Sequence, residues 1–246
     1  MSVTTPKPKP RSAVELDPSH PCAACEIREM SLCGVLTPDQ LTDMQSIASN
    51  LSFRRLQTIY QEGDAADYVS NVTAGAVRLY KLLPDGRRQI TGFLFPGDFL
   101  GIAMNDSYAY TAEAMADTRL CQFPRRRLQA LMAKYPNLEH ELLGLACNEL
   151  AAAQDQMLLL GRKSAEEKIA SFLLKLSERA LNRGRPGDPV HLPMSRADMA
   201  DYLGLTTETV SRTLTSLKTR NIITLKANGY IALTGHDDLE YIADGV

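Results

Sequence analysis

Three cysteines stand near the N-terminus, Cys22, Cys25 and Cys33, in the spacing C-x2-C-x7-C, and a fourth, Cys121, follows far downstream. The clustered thiols precede the first long hydrophobic pattern, so core packing does not account for them. Thiolates gathered in this way hold a metal or a cluster, and a complete shell needs four. Cys121 is the candidate to close the shell, which gives the ligand set Cys22, Cys25, Cys33 and Cys121. The same spacing is also compatible with a redox pair or with incidental thiols. The fifth cysteine, Cys147, falls inside a helical pattern and reads as a small buried hydrophobe rather than a ligand.

A second chemistry is written between Ser195 and Arg212. Ser195 can cap a helix, with Asp198 at the position that returns the hydrogen bond. Ala200 is small where two helices would cross closely. Gly204 supplies the left-handed turn, and Thr206 or Thr207 caps a second helix with Val210, Leu214 and Leu217 on its inner face. These offsets describe a helix-turn-helix, whose second helix enters the DNA major groove. On its exposed face lie Glu208, Ser211 and Arg212, one turn apart. Arg212 can grip a guanine edge with two hydrogen bonds, and Glu208 can accept from a cytosine amino group. The Glu208/Arg212 spacing is also that of a surface ion pair. Lys218, Arg220 and Lys226 are placed for phosphates.

The elements that must position these groups follow a clear order. Met1–Ser19 is rich in Pro, Lys and Ser and reads as disordered. The cysteine segment occupies 20–35. A β-roll is expected over 36–135, after a short helix that starts at Thr37-Pro38-Asp39 and runs through Leu41, Met44 and Ile47. Within it, Ala76–Leu82 and Gln89–Phe95 read as strands joined by Pro84-Asp85-Gly86. A helix over 136–161 carries a seam at Leu143, Ala146, Leu150, Ala153, Met157 and Leu160, with steps alternating three and four, the period of a coiled-coil interface. A second stripe, Leu138, Leu142 and Leu145, would pack back on the β-roll. The winged helix-turn-helix takes 162–246, and Asn228-Gly229 forms the wing turn. The fold class is thus α+β: β-roll, long dimerisation helix, winged helix-turn-helix.

Composition narrows the function classes. Net charge is −2, so DNA contact must come from a local basic face rather than a whole-protein field. No apolar run has membrane-spanning length, and no secretory h-region is visible. The expectation is a cytoplasmic protein, where clustered cysteines favour metal over disulfides. No nucleophile–His–carboxylate set and no phosphate loop is present, which argues against an enzyme.

In this order the elements resemble the CRP/FNR superfamily of bacterial transcription regulators from Cys22 onward, and within it the oxygen-sensing FNR branch of the FnrN/FnrL type. The resemblance rests on His20-Pro21-Cys22 through Cys33, on Phe95-Pro96-Gly97-Asp98-Phe99-Leu100-Gly101, on Leu158-Leu159-Leu160 with Ala165-Glu166-Glu167, and on Tyr202 through Arg212. It implies a [4Fe-4S] cluster on the four cysteines, a homodimer that forms at low oxygen, and binding to palindromic double-stranded DNA with TTGAT-like half-sites read by Glu208, Ser211 and Arg212. RNA polymerase is a further implied partner. Two departures stand out. Gly101 is followed by Ile102, and Tyr110-Thr111 stand where cyclic-AMP binders carry Arg-Ser, so no cyclic nucleotide is expected. Ala153 stands where well-known relatives place an acidic residue in the seam. A zinc- or thiol-redox-dependent regulator on the same scaffold is the alternative, since four thiolates also suit zinc.

Overall fold

The computed structural model describes residues 16–102 and 106–245, which fall into two compact units, 16–152 and 153–245. Of the segment expected to be disordered, residues 1–15 lie outside the described residues.

The first unit is a β-roll with helical flanks. Helix α1 (Pro38–Ser46) opens with the expected cap: the Thr37 hydroxyl accepts from Gln40 N and the Gln40 amide accepts from Thr37 N. Eight strands follow: β1 (Ser49–Phe53), β2 (Thr58–Tyr60), β3 (Tyr68–Ala74), β4 (Val77–Leu82), β5 (Arg88–Leu94), β6 (Phe99–Leu100), β7 (Thr111–Ala114) and β8 (Thr118–Pro124). They form two antiparallel sheets, in the orders β1-β8-β3-β6 and β2-β7-β4-β5. The β4–β5 hairpin closes at the Pro-Asp-Gly turn read from the sequence, with Gly86 at φ +84°. One apolar cluster (Val72, Val77, Leu94, Leu100, Ala112, Leu120) fills the roll.

A second cluster lies where the N-terminal segment, the roll and the helices meet. It joins Leu32, Leu36, Leu41, Met44, Val69, Phe99, Phe123, Leu128 and Leu138. Helix α2 (Arg125–Lys134) contributes Leu128, and the start of helix α3 (Pro136–Arg162) contributes Leu138. Leu142 and Leu145 pack against the same cluster, which is the back-packing stripe that the sequence pattern anticipates.

The second unit begins within α3. Helix α4 (Ala165–Asn182), capped by Ser164, buries Ile169, Phe172, Leu173 and Leu176. Strand β9 (Val190–His191) precedes helices α5 (Arg196–Leu203) and α6 (Thr207–Thr219), then strands β10 (Thr224–Leu225) and β11 (Tyr230–Ala232) and helix α7 (His236–Asp244). The sheet order is β10-β11-β9. Asn228 and Gly229 both take positive φ, 56° and 75°, as a tight wing turn requires. A Cβ on Gly229 would meet Leu192 O at 2.8 Å, so glycine is needed there on two counts. The observed order of roll, long helix and winged helix-turn-helix is the fold read from the sequence.

Candidate functional site

The cysteine segment is a chain of turns pinned by buried side chains. Ala23 N donates to His20 O, Cys25 N to Cys22 O, and Arg28 N to Cys25 O. Two short 3-10 turns, Arg28–Met30 and Leu32–Val35, carry it onto the roll, and the Ser31 hydroxyl accepts from Cys33 N. Ile27, Leu32 and Leu36 are buried and act as anchors. His20 braces the entry, its Nδ1 accepting from Cys22 N at 3.1 Å while Nε2 lies 3.4 Å from Thr42 Oγ1.

Cys121 sits mid-strand in β8, paired with Asn50 of β1 on one side and Asn71 of β3 on the other. Cys33 and Cys121 both pack against the second apolar cluster. Burial is the main force on both thiols and pushes each up to about 12. Cys33 also feels the charge of Cys121, Cys22 and Cys25, and Cys121 feels that of Cys22 and Cys25. Cys22 is raised by burial and then by Cys25, with Arg28 opposing. The four thiols from two distant stretches of chain thus lie within one another's electrostatic reach. Among the described residues, no three His, Cys, Asp or Glu side chains are gathered at the spacing of a single metal ion.

One residue here, Asn71, carries no sequence signal. Asn71, 1% exposed, has Nδ2 within 3.9 Å of Cys33 Sγ, and its Oδ1 is buried without a hydrogen-bond partner. Their proximity depends on long-range pairing, which spacing along the chain does not reveal. Cys147 corrects an expectation: it is exposed on α3 rather than buried. Two residues after the core-facing Leu145, it points about 200° around the helix, away from the apolar cluster.

The helix-turn-helix is built as its residues suggest. Ser195 N donates to Asp198 Oδ2 at 3.0 Å and Asp198 N donates to Ser195 Oγ at 3.1 Å, a reciprocal cap of α5. Gly204 takes φ +62° and ends the helix, and Thr206 caps α6 by accepting from Thr209 N at 3.1 Å. Val210, Leu214 and Leu217 are buried, which turns Glu208, Ser211 and Arg212 to the exposed side. Arg212 lies 3.5 Å from Glu208, and both are largely exposed, so this pair adds little to stability and is readily exchanged for another partner. The Ser211 hydroxyl donates to Thr207 O, leaving its oxygen lone pairs outward. Arg220 pairs with Glu166 of α4 while its side chain stays exposed. Lys218 and Lys226 are exposed.

The seam of α3 is mostly bare within one chain. Leu143, Leu150 and Met157 are 62%, 60% and 68% exposed at successive seven-residue steps, and Ala153 is exposed while Ala146 is half-buried. Leu160 is less exposed because it lies against the α5–α6 turn, where a Cβ on Gly204 would come within 3.2 Å of its Cδ2. Nearby, the Gln156 amide, unremarked in the sequence, donates to Tyr202 O at 2.9 Å and ties α3 to the end of α5.

Comparison with known proteins places both units. Residues 50–135 match the cyclic nucleotide-binding domain family, and residues 167–242 match the Crp-like helix-turn-helix domain family. The nitrogen fixation regulation protein FixK of Bradyrhizobium diazoefficiens is 42% identical over 233 residues, covering 94% of this chain and 98% of its own. The transcriptional activator protein FnrL of Cereibacter sphaeroides is 38% identical over 219 residues, with 87% and 88% covered. Among solved structures, FixK2 from Bradyrhizobium japonicum superposes with a TM-score of 0.75 at 41% identity, covering 80% of this chain and 97% of that one. The chain belongs to the CRP/FNR family and is a transcriptional regulator, not an enzyme.

Proposed function

We propose that this regulator senses oxygen through a [4Fe-4S] cluster held by Cys22, Cys25, Cys33 and Cys121, and binds DNA as a dimer when the cluster is intact. The observation that carries the reading is that Cys33 of the N-terminal segment and Cys121 of β8, far apart in sequence, both pack against the cluster of side chains that also seats Leu138, Leu142 and Leu145 of α3. The donor set fits such a group. Four soft thiolates would complete its shell. Bound there, the cluster would supply an oxygen-sensitive redox centre.

The chain's own residues then do the coupling. The four thiolates tie the segment from Cys22 to Cys33 onto β8. Leu32 and Leu36 of that segment share the core that orients the start of α3. Releasing the thiolates frees this segment and changes how Leu142 and Leu145 are held, so the bare seam at Leu143, Leu150 and Met157 is presented differently to a partner. Recognition falls to Glu208, Ser211 and Arg212, and by family RNA polymerase is a further partner. No cyclic nucleotide is expected in the roll, because Ile102 and Tyr110-Thr111 stand where the resemblance would place the groups that hold a cyclic phosphate. No described helix is long and apolar enough to cross a membrane.

The direct test is an absorption spectrum of anaerobically purified protein with iron and sulfide analysis, before and after air. A visible band that bleaches in air, with matching iron and sulfide, is expected. A colourless protein with one zinc per chain would favour the zinc-dependent alternative.

At the DNA, a two-fold dimer sets its recognition helices one helical turn apart, so the operator should be a palindrome with half-sites roughly 10 base pairs centre to centre. Arg212→Ala should lose about 1–3 kcal/mol per half-site and relax the preference at one guanine. Lys226→Ala should weaken all sequences alike and flatten the salt dependence. Binding titrations against single-base operator changes read the difference. Uniform weakening by Arg212→Ala would make that residue a phosphate contact.

A further inference from the structure

The apolar cluster beneath the cysteines contains one amide that packing does not explain. Asn71 lies mid-strand in β3, 1% exposed, directly opposite Cys121 of β8 and Phe99 of β6. Directly opposed residues of antiparallel strands project to the same face, so Asn71 and Cys121 share a side whatever rotamer the amide adopts. Val69, Phe99 and Phe123 of the apolar cluster surround the position in the same sheet. Asparagine is a poor strand former, and its Oδ1 is buried with no partner. An aliphatic side chain of similar size would cost less on both counts. What the amide adds is one donor: Nδ2 lies 3.9 Å from Cys33 Sγ.

We infer that Asn71 positions and tunes the Cys33 ligand by an N–H···S hydrogen bond, and thereby sets the reduction potential of the group held by the four cysteines. The inference rests on the iron–sulfur reading above. A neutral thiol is a weak acceptor, whereas a metal-bound thiolate accepts a charge-assisted bond, so the donor matches the ligand form of Cys33. A thiolate has no proton to give, which fixes Nδ2 toward the sulfur and leaves Oδ1 as the atom facing away. Hydrogen bonds to the sulfurs are among the terms that set iron–sulfur potentials. A donor stabilises the more electron-rich state, so Asn71 raises the potential and makes the group harder to oxidise.

The test compares the anaerobic full-length protein with Asn71→Leu, which removes the donor at similar size, and Asn71→Ser, which keeps a hydroxyl donor. Iron and sulfide content, the reduction potential, the iron–cysteine stretching bands in resonance Raman spectra, and thermal melting of the cluster-free chains are read for each. All three should load. In Asn71→Leu the oxidised-to-reduced ratio at fixed potential should rise about tenfold, a shift of about 59 mV for one electron. Its Raman bands should move, and Asn71→Ser should fall between the two. A loaded Asn71→Leu with unchanged potential and bands overturns the role of Asn71 and leaves the cluster reading intact. Failure of both variants to load, with early melting, makes Asn71 a packing residue and equally overturns it. Wild-type protein without iron and sulfide overturns the cluster reading itself, and this inference with it.

Discussion

Cys121→Ser protein, purified without air, is expected to carry iron and sulfide at background level. The substitution swaps a soft thiolate for a hydroxyl, a poor ligand for iron in this setting, and leaves three of the four ligands. The exchange is nearly isosteric, and Cys121 is a half-buried strand residue held by pairing to β1 and β3 on both sides, so the roll should still form. Cys22→Ser, Cys25→Ser and Cys33→Ser should behave alike. Cys147→Ser is the internal control: that thiol is exposed on α3, and its loss should leave iron and sulfide at the wild-type level. Full iron and sulfide in the Cys121→Ser protein would move the fourth ligand elsewhere. A wild-type level in all four variants would remove the cluster from this site.

Leu150→Glu should convert the anaerobic dimer to monomer in sedimentation. Leu150 is 60% exposed in the single chain and stands between Leu143 and Met157, each one heptad away. Burying a leucine side chain against a partner contributes about 1.5–3 kcal/mol, and a two-fold interface loses two of them. The variant would also bring two carboxylates together across a contact that excludes water, which adds a penalty of similar size. A shift of a few kcal/mol raises the dissociation constant at least about 100-fold. Glutamate is a good helix former, so α3 itself should persist and the circular dichroism should not change. With Ala153 rather than an acid in the seam, the wild-type interface carries no built-in charge repulsion at that position, which makes Leu150→Glu a clean addition of one. An unchanged dimer would place the interface on another surface.

Much of this protein was legible in the chain alone, because the features concerned are local. The Ser195/Asp198 cap, the left-handed Gly204, and the Asn228-Gly229 turn each depend on a few neighbouring residues whose conformational preferences are their own. The two stripes of α3 follow from helical period, and one does pack on the core while the other stays bare. The cysteine spacing marked the segment as a candidate ligand set. Which groups surround those thiols was decided by the tertiary structure. That Cys121 faces Asn71, that Cys33 lies half-buried against the apolar cluster, and that Arg220 pairs with Glu166 depend on strand register and helix packing between residues tens of positions apart. A shift of one residue in the β3–β8 pairing would put Asn71 and Cys121 on opposite faces of the sheet, and nothing in their immediate neighbours fixes that register. Even Cys147, inside a helix that the apolar pattern marks, lies exposed, because the helical period sorts residues into faces but only packing decides which faces are covered.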